Sequence, residues 1–185
     1  MKVTAFIRKS CARVNALAVV ILTLHPTLVS QTAGTPDFKQ YPADVYAGKP
    51  APLNLHSHRM ARTYRTSIRE QLQEKGIDFA GHYTIAVIGC GTGCSITAIV
   101  DARNGKAYFP PALDGWNVET GVYDFADNED VQTFRADSRL LKIIGAPRLG
   151  ADQGWGPGGI YYYEWKNNRL RQVRFRPTKR AETRP

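Results

Sequence analysis

The chain is poor in the residues that most often carry chemistry. Its 185 residues include three cysteines and four histidines. It has no H-E-x-x-H pair, phosphate-binding glycine loop or nucleophile elbow. That removes the best-marked zinc peptidases, P-loop nucleotide enzymes and serine hydrolases. It also lacks an apolar run of the roughly 20 residues that a spanning helix needs. The longest candidate, "ALAVVILTL" at Ala16–Leu24, spans nine. Residues 1–30 contain no acid at all.

What is present in those first residues fits an export signal. Lys2, Arg8, Lys9 and Arg13 precede the apolar run, Pro26 follows it, and small and polar residues close the segment. A basic start, a short apolar core and a small-residue end describe a secretory signal peptide over residues 1–30, cleaved between Ser30 and Ala33. The mature protein is then expected in the periplasm or outside the cell, with no transmembrane segment. Cys11 leaves with the signal and is no lipid-attachment site.

Charge is unevenly spread. Cleavage removes four bases and no acid, lowering the formal charge from +9 to +5. The last twenty residues hold eight Lys or Arg and one acid, whereas residues 31–165 hold thirteen bases and fifteen acids. The basic character therefore belongs to the C-terminus. A basic end of this kind suits a solvated strand and tail, or weak attraction to an anionic envelope surface or an acidic protein. Nucleic acid is not expected as a partner of an exported protein.

Residues 31–54 carry Pro36, Pro42, Pro50 and Pro52 and read as an extended lead-in. Next, Met60, Tyr64, Ile68 and Leu72 recur every four residues, which predicts one amphipathic helix. Ser57 is placed to cap it, and Gly76 to end it. Beyond Gly76 the chain turns to β-branched and aromatic runs. Strands are predicted in "GHYTIAVIGC", "CSITAIVDA", "NVETGVYDFA", "SRLLKIIGA", "IYYYEWKNN" and "RLRQVRFRP". Asn104-Gly105 is the strongest hairpin signal, and Asn167-Asn168 marks a second tight turn. "GAPRLGADQGWGPGG" reads as a loop. The expected fold is mainly β (α+β): an antiparallel sandwich or curled meander of six or seven strands with one N-terminal helix, over residues 55–177, then a basic tail at 178–185.

Cys90 and Cys94 bracket Gly-Thr-Gly between two predicted strands. A redox dithiol is usually C-x-x-C at a helix start, and the spacing here is one longer with strands on both sides. A zinc site needs four ligands, and no second cysteine or histidine pair completes one. A catalytic thiol needs a free cysteine with a histidine base. In an oxidising compartment the better-supported reading is a disulfide across a turn. Closing so short a loop stabilises by about 2 kcal/mol.

The remaining candidates are histidines and aromatics. His56 and His58 would share one side of an extended segment, as metal ligands can, but no carboxylate accompanies them at helical spacing. His82 reads as a buried, hydrogen-bonded histidine, or as a general base beside Asp101 or Asp124. His82, together with Trp155 in the glycine-rich loop and Tyr161, Tyr163 and Trp165 on one face of a strand, forms a candidate ligand surface.

"DFAGHYTIAVIGCGTGCSITAIVDARNGKAYFPP", preceded by "LHSHRMARTYRTSIRE" and followed by "YYYEWKNNRL", resembles a group of small exported bacterial proteins. The likeness runs from about Leu55 to Arg171, and FAGHY and GCGTGC are its marks. It implies export and a mostly-β fold. It carries over no catalytic residue and no cofactor. In size and compartment alone, the chain is also similar to periplasmic lysozyme inhibitors. The expected function is a non-enzymatic binding or envelope-associated module. The alternatives are a metal-dependent or hydrolytic envelope enzyme using His56, His58 or His82, and an inhibitor of a cell-wall-degrading enzyme.

Overall fold

The two apolar runs flanking the cysteines pair as antiparallel strands, β1 (Tyr83–Gly91) and β2 (Cys94–Asp101). This computed structural model describes residues 34–117, 130–150 and 152–178. The signal-like segment, most of "NVETGVYDFA" and the tail from residue 179 lie outside the described residues.

After β2 come β3 (Ala107–Tyr108), β4 (Asp114–Asn117), β5 (Gln132–Arg135), β6 (Ser138–Gly150), β7 (Gly154–Trp155), β8 (Gly159–Lys166) and β9 (Arg169–Pro177). All nine join one antiparallel sheet whose main path runs β1-β2-β4-β6-β8-β9. β3 pairs with β2, while β5 and β7 pair with β6. The mainly-β class holds, with more strands than the six or seven expected. The additions are mostly two to four residues long, too short to show a period-two pattern. The predicted glycine loop is largely strand. β6 runs on to Gly150, and Trp155 pairs back onto Arg148.

The sheet curls. Tyr83 at the start of β1 meets Trp165 at the end of β8, ring centroids 5.4 Å apart, although these strands are far apart in the sheet order. Ile85, Ile99, Trp116, Ile143, Tyr161 and Tyr163 fill the inside of the curl. Alternation sends Ala86, Ile88, Ala98 and Val100 to the outer face, where a helical segment covers them.

That segment is two helices, not one: α1 (Arg59–Thr63) and α2 (Arg65–Lys75), with a break at Tyr64. Met60, Tyr64, Ile68 and Leu72 all still pack on the sheet, so the stripe survives the break. The cap also differs from expectation. His58 Nδ1 accepts the Met60 N–H at 3.2 Å. Ser57 is unavailable, because its hydroxyl donates to the Asn54 carbonyl and accepts the Ala107 N–H. Gly76 ends α2 at φ +63°, as the sequence suggests.

α2 also blocks the outer edge of β1. The Gln71 side-chain amide donates to the Val87 carbonyl at 2.8 Å and accepts the Val87 N–H at 2.9 Å. Lys75 donates to the Ile85 carbonyl, and Asp78 accepts the Ile85 N–H. Side chains thus stand in for a missing neighbouring strand, which closes an edge that could otherwise pair with another chain.

The lead-in is stitched to the domain by backbone bonds. Ala43 N–H donates to Asp137, Arg139 N–H to Tyr41, Tyr46 N–H to Gly81, Ala51 N–H to Ala102 and Asn54 N–H to Gly105, all within 2.7–2.8 Å. Its passage over the β2–β3 turn requires glycine there. Gly105 has φ +70°, and a Cβ would lie 1.9 Å from the Pro52 carbonyl oxygen.

Asp78 makes the β1 edge sensitive to pH. Burial raises its carboxyl from 3.8 to about 6, against the Ile85 hydrogen bond and the Lys75 charge. Between about pH 4 and 6 the folded protein holds a proton that the unfolded chain has released. This group's contribution to stability therefore falls as pH rises through that window. In Asp78→Asn that fall should vanish, changing the difference in unfolding free energy between pH 4 and 7 by on the order of 2 kcal/mol. Urea melts of both proteins across the window check it, and parallel pH profiles would contradict it.

Candidate functional site

Two hairpin turns and the end of the lead-in enclose two adjoining clefts. The β2–β3 turn supplies Arg103, Asn104 and Lys106, the β8–β9 turn supplies Asn167 and Asn168, and the end of the lead-in with the residues leading into α1 supplies Asn54, His56 and His58. Asn167 and Asn168 have φ +52° and +57°, the paired left-handed geometry of a tight hairpin that asparagine tolerates. One cleft, about 790 Å³, runs between His58, Phe109, Tyr108 and Leu170. The other, about 740 Å³, opens beside His82, Asp101 and Trp165. Lys106, Tyr108 and Asn168 line both.

Asp101 organises the second cleft. It closes β2, is 5% exposed and faces inward. Its Oδ1 takes the His82 Nδ1 hydrogen and the Arg103 N–H, each at 2.9 Å, and its Oδ2 takes the Asn104 side-chain N–H at 3.0 Å. A buried carboxylate is tolerated when several donors satisfy it. Because the carboxylate only accepts, Nδ1 of His82 carries a hydrogen, and in the neutral ring Nε2 is then the acceptor. Sequence spacing alone, nineteen residues between His82 and Asp101, did not favour this pairing. Asp124, the other partner considered, lies outside the described residues.

Tyrosines frame the site. The Tyr83 hydroxyl donates to Asn168 Oδ1 at 2.7 Å, tying the start of β1 to the β8–β9 turn. Burial raises the Tyr83 phenol above its ordinary value, and the Asp101 charge adds to this. The Trp165 indole N–H opposes the rise, yet it is buried with no well-formed hydrogen bond, so its effect is an electrostatic approach and not a formed bond. Tyr108 is raised by burial and by Asp101. Both phenols therefore stay neutral donors at ordinary pH.

The predicted residues fall in different places. His82 lies at the second cleft, and His56 and His58 at the first. They do not converge into a ligand set: among the described residues, no group of three or more His, Cys, Asp or Glu is placed to hold a metal. His58 is moreover committed. Its ring stacks on Phe109 at 4.7 Å, and Nδ1 accepts a backbone hydrogen, which makes Nε2 the protonated nitrogen. Cys90 and Cys94 form the expected disulfide, with Cα atoms 5.2 Å apart, at the far end of the β1–β2 hairpin.

The proposed aromatic ligand surface is corrected. Tyr161 and Tyr163 are buried in the main core and line neither cleft. Trp165 is 2% exposed and only borders the second cleft. Tyr161, Tyr163 and Trp165 do share one face of β8, but the curl turns that face inward. Burial also pushes the Tyr163 phenol far up. Trp155 is exposed on β7, away from both clefts.

Lys106, Tyr108, Phe109, Asn168 and Leu170 were not among the sequence candidates. Asn104-Gly105 and Asn167-Asn168 were legible as turns, and those turns carry or adjoin most of these residues. No family model, curated protein or solved structure matches the chain.

His58 and His56 make contrasting predictions. His58→Ala removes a helix cap and a ring contact and should lower unfolding free energy by about 1–2 kcal/mol. His56→Ala, at an exposed position, should change it by less than about 0.5 kcal/mol. Denaturant midpoints measure both, and equal effects would contradict the assignment of His58 as the cap.

Proposed function

We propose that this chain is an exported, non-enzymatic binding module whose ligand occupies the two clefts joined at Lys106, Tyr108 and Asn168. Export rests on the basic start and short apolar run of residues 1–30, and a disulfide suits an oxidising compartment. The likeness to small exported bacterial proteins carrying FAGHY and GCGTGC points the same way.

One observation carries the binding reading: several of the polar groups that could do chemistry in the clefts already hold the fold. Ser57 Oγ bridges Asn54 and Ala107, His58 Nδ1 caps α1, and both Asp101 oxygens secure the β2–β3 turn. The space around them remains open, and each cleft falls in the size range typical of small-molecule sites.

A second reading has its own support. The His82–Asp101 pair at 2.9 Å leaves Nε2 available to take a proton from water, as a hydrolytic enzyme would require. Among the described residues, Ser57 is the only Ser, Thr or Cys lining either cleft, and its hydroxyl is engaged, so it does not serve a covalent intermediate.

Amide chemical-shift mapping of the purified protein against a mixed fragment library tests the proposal. Perturbations should cluster at Lys106, Tyr108 and Asn168. A cluster around Trp155 with none in the clefts would contradict it. Turnover of chromogenic esters or phosphates that disappears in His82→Gln would replace binding with the hydrolytic reading.

A further inference from the structure

The two clefts are rich in donors and short of free acceptors. Arg103, Lys106, Lys166 and Arg169 line them, and none forms an ion pair among the described residues. Arg103 is held by stacking over the Tyr46 ring, 5.6 Å from its centroid, which leaves its charge uncompensated.

Several of the side-chain acceptors, by contrast, are already engaged. The carboxylate in the second cleft, Asp101, already takes three hydrogens. Asn168 Oδ1 takes the Tyr83 hydroxyl hydrogen, and Asn104 Oδ1 takes the Lys106 N–H. The side-chain amide of Asn168 therefore offers the clefts its N–H group, not its oxygen. A cationic ligand would meet repulsion and few acceptors. An anionic one would meet unpaired cations beside a low-dielectric wall.

The first cleft has the complementary chemistry. His58 stacked on Phe109, with Tyr108, Leu170 and Pro110, gives an apolar, partly aromatic lining. Lys106 and Tyr108 stand at the boundary of the two.

We infer that the joined clefts take one small molecule with a flat apolar body in the first and a phosphate or carboxylate group in the second, held by Lys106, Arg103 and Lys166. This rests on the binding reading above and names its ligand class. His82 presents an acceptor at Nε2 when neutral, so a ligand group bearing one remaining proton, such as a phosphomonoester monoanion, would satisfy it as well.

Calorimetric titration of the full chain with four probes tests the inference: 1-naphthyl phosphate, 1-naphthol, 1-naphthylmethylammonium and inorganic phosphate. Naphthyl phosphate should bind at least about tenfold more tightly than the neutral or cationic naphthyl probes, the usual scale for one charge-assisted contact. It should also outbind inorganic phosphate. Lys106→Gln should weaken naphthyl phosphate by about tenfold and leave 1-naphthol unchanged. Arg171→Gln, on β9 and lining neither cleft, should alter nothing. Equal binding of the neutral and anionic probes, or no effect of Lys106→Gln, would overturn the anion assignment and leave the cleft reading standing. Equal binding of inorganic and naphthyl phosphate would overturn the flat-body assignment. Failure of every naphthyl probe to bind at millimolar concentration would overturn the binding reading and the inference together.

Discussion

The Asp101 carboxylate is the constraint on which the rest of the site depends. It is nearly fully buried at the end of a central strand. A charge in that position is stable only if donors surround it, and removing a donor leaves a large desolvation cost uncovered. The donors are His82 from the start of the chain's first hairpin, and Arg103 and Asn104 from the turn that follows. The backbone of Asp101 closes the same turn, donating to Lys106 and accepting from Gly105. One residue, through its side chain and its backbone, thus fixes the His82 ring, the shape of the β2–β3 turn and the position of Lys106.

The constraint spreads outward through the turn. Gly105 accepts the Asn54 N–H and passes so close to Pro52 that no Cβ fits. The lead-in is therefore drawn over the turn, and with it come His56 and His58, which border the first cleft. On the opposite side, the curl of the sheet brings the β8–β9 turn up to Tyr83, whose hydroxyl binds Asn168. The clefts lie where these two turns and the strap meet. Asp101, Asn104 and Asn168 spend acceptor oxygens in making that junction. Arg139 is paired with Glu164, while Arg103, Lys106, Lys166 and Arg169 form no ion pair among the described residues. The same bonds that build the site thus give it its electrostatic sign. At the far end of the β1–β2 hairpin the disulfide performs a separate task, holding the turn while Gln71 seals the strand's edge.

The local features were legible in the sequence because their causes are local. Gly-Thr-Gly between two cysteines, Asn-Gly and Asn-Asn between strand-like runs, and a four-residue apolar stripe each report on a few neighbouring residues. The mainly-β class followed from them. The candidate site was not legible, because its contacts span the chain: nineteen residues from His82 to Asp101 and eighty-five from Tyr83 to Asn168. Tyr161, Tyr163 and Trp165 show the limit most clearly. β8 is aromatic on both faces, so alternation says which residues share a face and not which face the curl encloses. The helix cap moved from Ser57 to His58 for a similar reason, since the serine hydroxyl is claimed by Ala107, fifty residues away.

The most direct test of this account is amide hydrogen exchange in Asp101→Asn. The substitution keeps the shape but replaces one acceptor oxygen with a donor, which three facing donors cannot satisfy. The account predicts that the amides of Arg103, Gly105 and Asn54 exchange at least about tenfold faster, as the turn and the strap loosen together, while those of Tyr161 and Tyr163 in β8 keep their protection. Unchanged exchange at Gly105 and Asn54 would show that the turn and strap stand without the carboxylate, and would contradict its central place.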